Sequence, residues 1–354
     1  MLMLDKVKFA YLWFDRILLG PNHFGVSLPI RMRMAFKGYM PDQYALYDFA
    51  HNDEEPFLSE YDWYHSRAIN EPFGPLFNNK VICAEFLKTF ANVPISLMLK
   101  CRGWYVFMDG AQEVLGREDV LGKYGSARDA VELVRRSKGV FMKPIDLGKG
   151  EGVHRLDNSG EGFLIDGEFA SEAVLMSLFE DADSFFLSQA VEQHPFLSNI
   201  NAGAANTMRI ITVRNPETGE YSVLFAVLRI GTSDTGPEDN GSKGGLVANI
   251  NLETGELSEA RSLHSLSVHV VHPDSKATIK GIVIPEWKDI KKQVIELAQH
   301  IPYAHFIAWD ALLTESGICI IEANTSSGVN IVQLWGPQRH GALGDFYRAH
   351  GIID

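Results

Sequence analysis

Apolar and polar positions along this chain follow two different periods, and the change between them predicts its architecture. From Pro21 to Phe77 the apolar residues, many of them aromatic (Tyr44, Tyr47, Phe49, Tyr61, Trp63, Tyr64, Phe73), fall into short helical patterns, and Pro72, Gly74 and Pro75 then mark a break. Asn79 is placed to cap a helix with Val81, Ile82, Leu87 and Phe90 as its apolar stripe and Pro94 just past its end. Ser126 and Asp129 have capping-box spacing ahead of Ala130, Val131, Leu133 and Val134, which predicts a helix ending near Gly139 and a strand over Val140 to Pro144. Short β-type runs then dominate. Phe185 to Val191, Asn206 to Val213 and Tyr221 to Arg229 read as strands, the last two joined at Pro216-Glu217-Thr218-Gly219, and Gly245 to Leu257 repeats the pattern around Glu253-Thr254-Gly255. Pro285 can start a helix with Ile290, Val294, Leu297, Ala298 and Ile301 on one face. The pattern as a whole is α+β.

The last two apolar runs carry the chemistry. Ile307 to Leu313 and Ile318 to Asn324 flank a polar turn, Thr314-Glu315-Ser316-Gly317, and predict an antiparallel hairpin. Asp310 lies on its first strand. Glu322 and Asn324 lie two apart on the second, so strand alternation turns both to one face. Two carboxylates and an amide form an oxygen set suited to Mg2+ rather than zinc.

Composition narrows the partners. With 354 residues, 46% hydrophobic and 22% charged, the chain is long enough for two or three packed lobes. Its formal net charge of -13 disfavours a nucleic-acid partner. A small anionic nucleotide is still compatible, because local lysines and backbone amides override the mean field. Cys83, Cys101 and Cys319 sit inside apolar stretches without paired spacing, which implies buried thiols in a reducing cytoplasm. Met1 to Gly20 is apolar but interrupted by Asp5, Lys6, Lys8, Asp15 and Arg16, too often for a signal sequence or a spanning helix. It reads as an amphipathic helix, either docked on the core or lying on a membrane surface.

Further candidates are distributed along the middle of the chain. Lys80 occupies the first turn of its helix, where the dipole disfavours a cation, and this points toward a ligand role. Lys143 ends a strand that runs into Gly148-Lys149-Gly150-Glu151-Gly152-Val153, a glycine-rich hairpin whose backbone can cover phosphates. The Walker spacing is absent. Arg209 and Arg229 lie within apolar β runs, either as structural ion pairs or as clamps on phosphate or carboxylate. Asp239 to Gly245 reads as a mobile loop. His264, His269 and His272 lack carboxylate or cysteine neighbours at ligand spacing and are read as non-metal histidines.

Taken together, Lys80, Lys143 in F-M-K-P, Asp310 and Glu322-x-Asn324 resemble the ATP-grasp superfamily, and E-A-N-T-S-S-G is similar to the end of the metal hairpin in D-alanyl-D-alanine ligases. N-T-M-R-I-I-T, L-R-I-G with D-N and G-G, H-P with I-P-E-W, and A-W-D with E-A-N resemble the sugar-transfer-associated ATP-grasp proteins of polysaccharide gene clusters, over roughly residues 45 to 335. The resemblance implies two α+β lobes holding ATP between antiparallel sheets: a helical region over 1–77, a small lobe with lid loop over 78–190, and a core lobe with the metal hairpin over 191–354.

By the same resemblance, Lys80 and Lys143 contact phosphates, and Gly148, Lys149, Gly150 and Gly152 belong to the lid. Gln189, Val191 and Glu192 hold the adenosine, and Asp310, Glu322 and Asn324 bind Mg2+. An arginine two residues before the metal aspartate in D-alanyl ligases is Ala308 here, which leaves Arg209 or Arg229 as the phosphoryl clamp. The implied activity is a cytoplasmic carboxylate-amine ligation through an acyl phosphate, joining an amine to a small-molecule carboxylate, with a sugar link. A phosphotransferase acting on a sugar-like hydroxyl and a non-catalytic nucleotide-binding scaffold are the alternatives. A spanning segment is not expected, and membrane contact, if any, falls to residues 1–20.

Overall fold

The computed structural model describes residues 11–145, 152–236, 239, 241 and 244–354. Two antiparallel sheets organise it. The first contains β1 (Ser96–Cys101), β2 (Trp104–Phe107), β3 (Tyr124–Gly125), β4 (Val140–Pro144), β5 (His154–Asn158), β6 (Phe163–Ile165), β7 (Glu168–Ala170) and β8 (Phe185–Gln189), in the order β3-β2-β1-β8-β4-β5-β6-β7. The second contains β9 (Met208–Arg214), β10 (Tyr221–Ile230), β11 (Leu246–Ile250), β12 (Leu257–Ser262), β13 (Val268–His269), β14 (Phe306–Thr314) and β15 (Gly317–Asn324), in the order β13-β12-β11-β10-β9-β14-β15.

The second sheet shows why an acidic residue can sit in an apolar strand. All nine residues of β14 are buried. On one face Ile307, Trp309, Ala311 and Leu313 join the core with Ile290, Val294 and Leu297 of the helix Trp287–Gln299. On the other face Phe306 and Ala308 pack among Leu58, Trp63, Val329, Val332 and Phe346 from helices near both ends of the chain. Asp310 follows at the next position on that second face. The helix begins two residues after Pro285, and Gly255 lets Trp287 close onto the β11–β12 turn: a Cβ there would stand 2.6 Å from that of Trp287, and its φ is +77°.

In the first sheet, the helices Ala127–Arg136 and Glu172–Asp181 bury Val131, Val134, Leu175 and Phe179 on the strands. The expected capping box is present, with Asp129 N donating to Ser126 Oγ and Ser126 N to Asp129 Oδ2. Lys100 on β1 is buried, and its Nζ donates to the carbonyls of Phe179, Glu180 and Ala182 at 2.8, 2.9 and 2.5 Å. A lysine thus closes a helix C-terminus, where orphan carbonyls and the dipole both favour a cation.

The N-terminal region is held by buried amides to the second sheet and to the helix Val329–Gln333. Asn70 Nδ2 donates to the Phe306 carbonyl at 2.6 Å, and its Oδ1 accepts from His305 N at 2.8 Å. Gln333 exchanges two bonds with the Leu58 backbone, and Asn330 Oδ1 accepts from Gln43 and Tyr47. Aromatic rings of Tyr39, Tyr47, Phe49 and Phe57 form a small core beside these bonds.

Three details differ from the sequence pattern. Ile82 is exposed and Cys83 is buried in its place, while Leu87 and, partly, Phe90 pack on the core as the expected stripe has them. Cys101 is exposed at the end of β1, where the turn to β2 lifts it clear of the core, while Cys83 and Cys319 are buried. The strand β8 stops at Gln189, two residues short of Val191. Among the described residues no helix is long and apolar enough to cross a membrane.

Candidate functional site

Register along the second sheet sets up a charged row. On β14 Asp310 is the partner of Arg209 on β9 and of Glu322 on β15, and Arg209 in turn faces Val227 on β10. Arg229 lies two residues beyond Val227, so the period of two turns it to the same face. The row reads Arg229, Arg209, Asp310, Glu322 across four adjacent strands.

The guanidinium of Arg209 grips both carboxylate oxygens of Asp310, Nε to Oδ1 and Nη2 to Oδ2, the latter at 2.8 Å. Arg229 donates from Nη1 to the same Oδ2 at 3.1 Å and from Nη2 to Asp239 Oδ1 at 2.7 Å. Asp239 Oδ2 also accepts from the amide and hydroxyl of Thr207, each at 2.6 Å. All four charged side chains are largely buried: 14% of each arginine, 6% of Asp310 and 7% of Asp239 is exposed. Charge at that depth persists only when paired and hydrogen-bonded.

Burial by itself pushes the Asp310 carboxyl up, and Arg209 with Arg229 more than reverses this, leaving it below its ordinary value. Burial also opposes the charge on Arg229, but Asp239 and Asp310 outweigh it and raise the guanidinium further. Asp239 is pushed up by burial, with Arg229 and Thr207 acting against the rise. Three donors on its oxygens hold Asp239 as a carboxylate beside a guanidinium that keeps its proton.

This row forms one wall of a cavity of about 520 Å³. Phe141 and Lys143 of β4, Phe186 and Gln189 of β8, and Lys80 and Val191 line the same cavity. Lys143 Nζ lies 5.5 Å from the Phe141 ring centre and 5.9 Å from that of Phe186. Asn79 fixes the helix that carries Lys80 by accepting from Val81 N and Ile82 N, and Lys80 N donates to the Ile145 carbonyl just past β4 at 3.0 Å. That bond ties the helix to the first sheet while Cys83 and Leu87 bury it in the core of the second. Lys143 from the first sheet and Lys80 from this helix therefore share one cavity with the carboxylates and arginines of the second sheet and with apolar and aromatic side chains.

Of the residues singled out in the sequence, Lys80, Lys143, Gln189, Val191, Arg209, Arg229, Asp310, Glu322 and Asn324 line this cavity. Glu192 is exposed beside Val191 and is not among the lining residues. Gly148, Lys149 and Gly150 lie outside the described residues, as do several positions of the loop between Asp234 and Gly245. Gly152 is described, with φ of +70°, and neighbouring Val153 lines the cavity. Ala308, where an arginine was sought, is buried between Ile211 and Asn324, its register partners on the two neighbouring strands.

Sequence reasoning missed Asp239 and Thr207, which complete the arginine network, and Arg16 and Trp63, which close another part of the cavity. Asp239 sat in a loop-like run, and only its pairing with Arg229 gives it a role. Arg16 stacks 4.5 Å over the Trp63 ring and is held by Glu60 at 2.7 Å. His272, in contrast, is structural: it is buried with Nε2 on the Gly231 carbonyl at 2.8 Å, and its Nδ1 accepts from Asp274 N and Ser275 N.

The donor chemistry fits a hard cation. Glu322 and Asn324 make no side-chain hydrogen bond among the described residues, which leaves their oxygens available. The Asp310 oxygens already accept three guanidinium bonds, leaving about one of roughly four lone-pair positions open. Among the described residues no three of His, Cys, Asp and Glu cluster as a metal centre, so the set is two carboxylates with one amide.

The family model described as sugar-transfer associated ATP-grasp matches residues 64–339. No curated protein sequence matches the chain. Among solved structures, it is similar to D-alanyl-alanine synthetase A from Vibrio cholerae, at 12% identity and TM-score 0.41 over 75% of this chain and 60% of that one. It is also similar to the D-alanine–D-alanine ligase of Bacillus anthracis complexed with ATP, at 10% identity and TM-score 0.37 over 78% of this chain and 63% of that one. The biotin carboxylase domain of 2-oxoglutarate carboxylase from Hydrogenobacter thermophilus, with ADP, MgADP and bicarbonate, matches at 15% identity and TM-score 0.37 over 72% of this chain and 40% of that one. The chain spans less than two thirds of the length of each of these three.

Proposed function

This chain belongs to the sugar-transfer associated ATP-grasp family, an α+β fold, and we propose that it is an ATP- and Mg2+-dependent ligase joining a small-molecule carboxylate to an amine through an acyl phosphate. The observation that carries the reading is that Lys80 and Lys143 line one cavity together with the row Arg229, Arg209, Asp310 and Glu322. In it, ATP lies between a small lobe over 78–190 and a core lobe over 191–354. Gln189 and Val191 flank the adenosine, and Lys80 and Lys143 neutralise phosphate oxygens. Glu322, Asn324 and the remaining position on Asp310 hold Mg2+, which supplies charge stabilisation at the terminal phosphates when bound.

A carboxylate oxygen of the acceptor attacks the γ-phosphorus, forming a new P–O bond as the bond to the bridging oxygen breaks and ADP leaves. Arg209 and Arg229 hold the transferred group. They are already fixed on the sheet, so little reorganisation is needed as charge develops. The amine then attacks the acyl carbon, a C–N bond forms, phosphate departs and the amine loses a proton. The apolar walls of Phe141, Phe186 and Ile320 keep water from the acyl phosphate. The words sugar-transfer associated in the family description support a sugar-linked substrate, and a role in polysaccharide biosynthesis in the cytoplasm belongs to the same proposal.

The test is ADP release from ATP and Mg2+ against pools of amino acids and uronic acids. Release that requires both a carboxylate and an amine, with an amide product, supports ligation. Release with a sugar alone and a phosphorylated product replaces it with phosphotransfer. Binding of ATP without turnover on any pool leaves a nucleotide-binding scaffold.

A further inference from the structure

The helices Trp13–Leu18 and Leu28–Phe36 lie side by side at the outer edge of the molecule. Trp13 Nε1 donates to the Ala35 carbonyl at 2.9 Å at one end, and Arg31 Nη2 donates to the Leu18 carbonyl at 2.7 Å at the other. The rings of Trp13 and Phe36 are 5.7 Å apart. Ile17, Met34 and Ala35 form the buried side of the pair. A surface helix ordinarily turns polar residues outward. This pair does not.

Leu28, Met32 and Phe36 follow one another at four-residue spacing, so they form a single stripe, and they are 58%, 46% and 76% exposed. Tyr11, Phe14 and Leu19 add 70%, 55% and 52% exposure beside the first helix. Six large apolar side chains presented by two adjoining helices exceed the scattered surface hydrophobics of an ordinary protein. Arg33 and Lys37 come next round the second helix, each one position on from a residue of the stripe. Between residues 11 and 37 the sequence holds Arg16, Arg31, Arg33 and Lys37 against Asp15, in a chain of net charge -13; of these Arg16 is paired with Glu60 at the cavity and Lys37 with Glu54, so Arg31 and Arg33 carry the local excess.

We propose that this surface docks on an anionic lipid bilayer, with the apolar stripe entering the interface and Arg33 and Lys37 at the headgroups. Charge selects this occupant. A second copy meeting the patch about a two-fold axis would set the same basic segment against itself, with like charges opposed. Anionic headgroups complement that segment and repel the acidic remainder, which fixes the orientation. Lys37 shares its charge with Glu54 at 2.9 Å, so Arg33 carries more of the attraction. The first helix also brings Arg16 to the cavity, so docking sets the cavity within about a helix diameter, roughly 10 Å, of the bilayer. The docking does not depend on which reaction the cavity performs.

The test is co-sedimentation of the full chain, without nucleotide, with vesicles of phosphatidylcholine alone and of phosphatidylcholine containing phosphatidylglycerol. The expected result is binding to the anionic vesicles that weakens as salt is raised. Met32→Glu with Phe36→Glu is expected to reduce partitioning by about tenfold or more, and Arg33→Glu by less. Both variants should keep the wild-type melting temperature, because the altered side chains are exposed. Absence of sedimentation with anionic vesicles overturns the proposal, as does equal sedimentation of wild type and the double variant. A concentration-dependent dimer that Phe36→Glu abolishes, without vesicle binding, assigns the patch to a second copy and overturns it as well.

Discussion

Arg209 and Asp310 are register partners on adjacent strands, and the arginine spans both oxygens of the aspartate. The residue proposed to help hold a metal ion is therefore gripped by the residue proposed to clamp the transferred phosphoryl group. In this arrangement each satisfies the other, and nucleotide with its metal would give both new partners. Asp310→Asn is expected to lower stability by about 3 kcal/mol, because the buried Arg209 guanidinium loses its counter-charge and Arg229 is left with Asp239 alone. Chemical denaturation with and without ATP and Mg2+ checks this. The variant should also lose ADP release. If it keeps both wild-type stability and turnover, the row is neither a structural network nor a site.

Lys143→Met tests the first sheet's part of the cavity lining. Its side chain lies between the Phe141 and Phe186 rings, so methionine can occupy the same apolar space and the fold should tolerate the change. The expected outcome is an apo melting temperature close to wild type and a loss of most of the stabilisation by ATP. A lost charge-assisted bond to phosphate costs roughly 1.5–3 kcal/mol, or about ten- to a hundredfold in affinity. Thermal shift against ATP concentration measures it, and an unchanged shift would remove Lys143 from the nucleotide site.

The hairpin β14–β15 was readable from residues 307–324 because both of its requirements are local: two apolar runs and a turn that ends in Gly317, whose φ is +109°. Strand alternation then placed Glu322 and Asn324 on one face without further information. The partners of Arg209 and Arg229 were not readable, since they depend on which strands become neighbours, and β10 reaches Asp310 only across β9. Asp239 was hidden for the same reason. Its carboxylate is 32 residues from Thr207 in sequence yet bonds it twice. The bonds of Asn70 to the second sheet, of Gln43 to Asn330 and of Gln333 to Leu58 were equally invisible, because polar residues in helices carry no signal of which distant segment they will meet. Cys101 shows the converse: an apolar run suggested burial, and a turn at a strand end exposed it.

The three cysteines should differ sharply in reactivity. Burial pushes the thiols of Cys83 and Cys319 up to about 12, so at pH 8 only about one in ten thousand of either is thiolate. Cys101 is exposed. Native protein treated with a disulfide reagent at pH 8 is expected to release one equivalent rapidly and two more only on denaturation. Cys101→Ser should remove the fast phase. Two fast equivalents would mean that a cavity-side thiol is open to solvent.

Lys100 offers a test of the first sheet that leaves the cavity untouched. Its ammonium satisfies three carbonyls at the end of the helix Glu172–Asp181 and lies 4.9 Å from the centre of the Tyr105 ring. Lys100→Met keeps most of the volume but takes the ammonium from the Glu180 and Ala182 carbonyls, while the Phe179 carbonyl keeps the Tyr105 hydroxyl at 2.6 Å. The expected cost is about 2–3 kcal/mol, since hydrogen bonds to a charged group are the stronger kind and unsatisfied acceptors add their own penalty. The loss should appear in denaturant unfolding with the ATP-induced stabilisation of the remaining folded protein unchanged. Lys100→Arg should recover only part of it, because a planar fork cannot reach three carbonyls that a compact ammonium serves at once. A variant as stable as wild type would show that the helix end is closed by other groups, and that the buried lysine is tolerated rather than used.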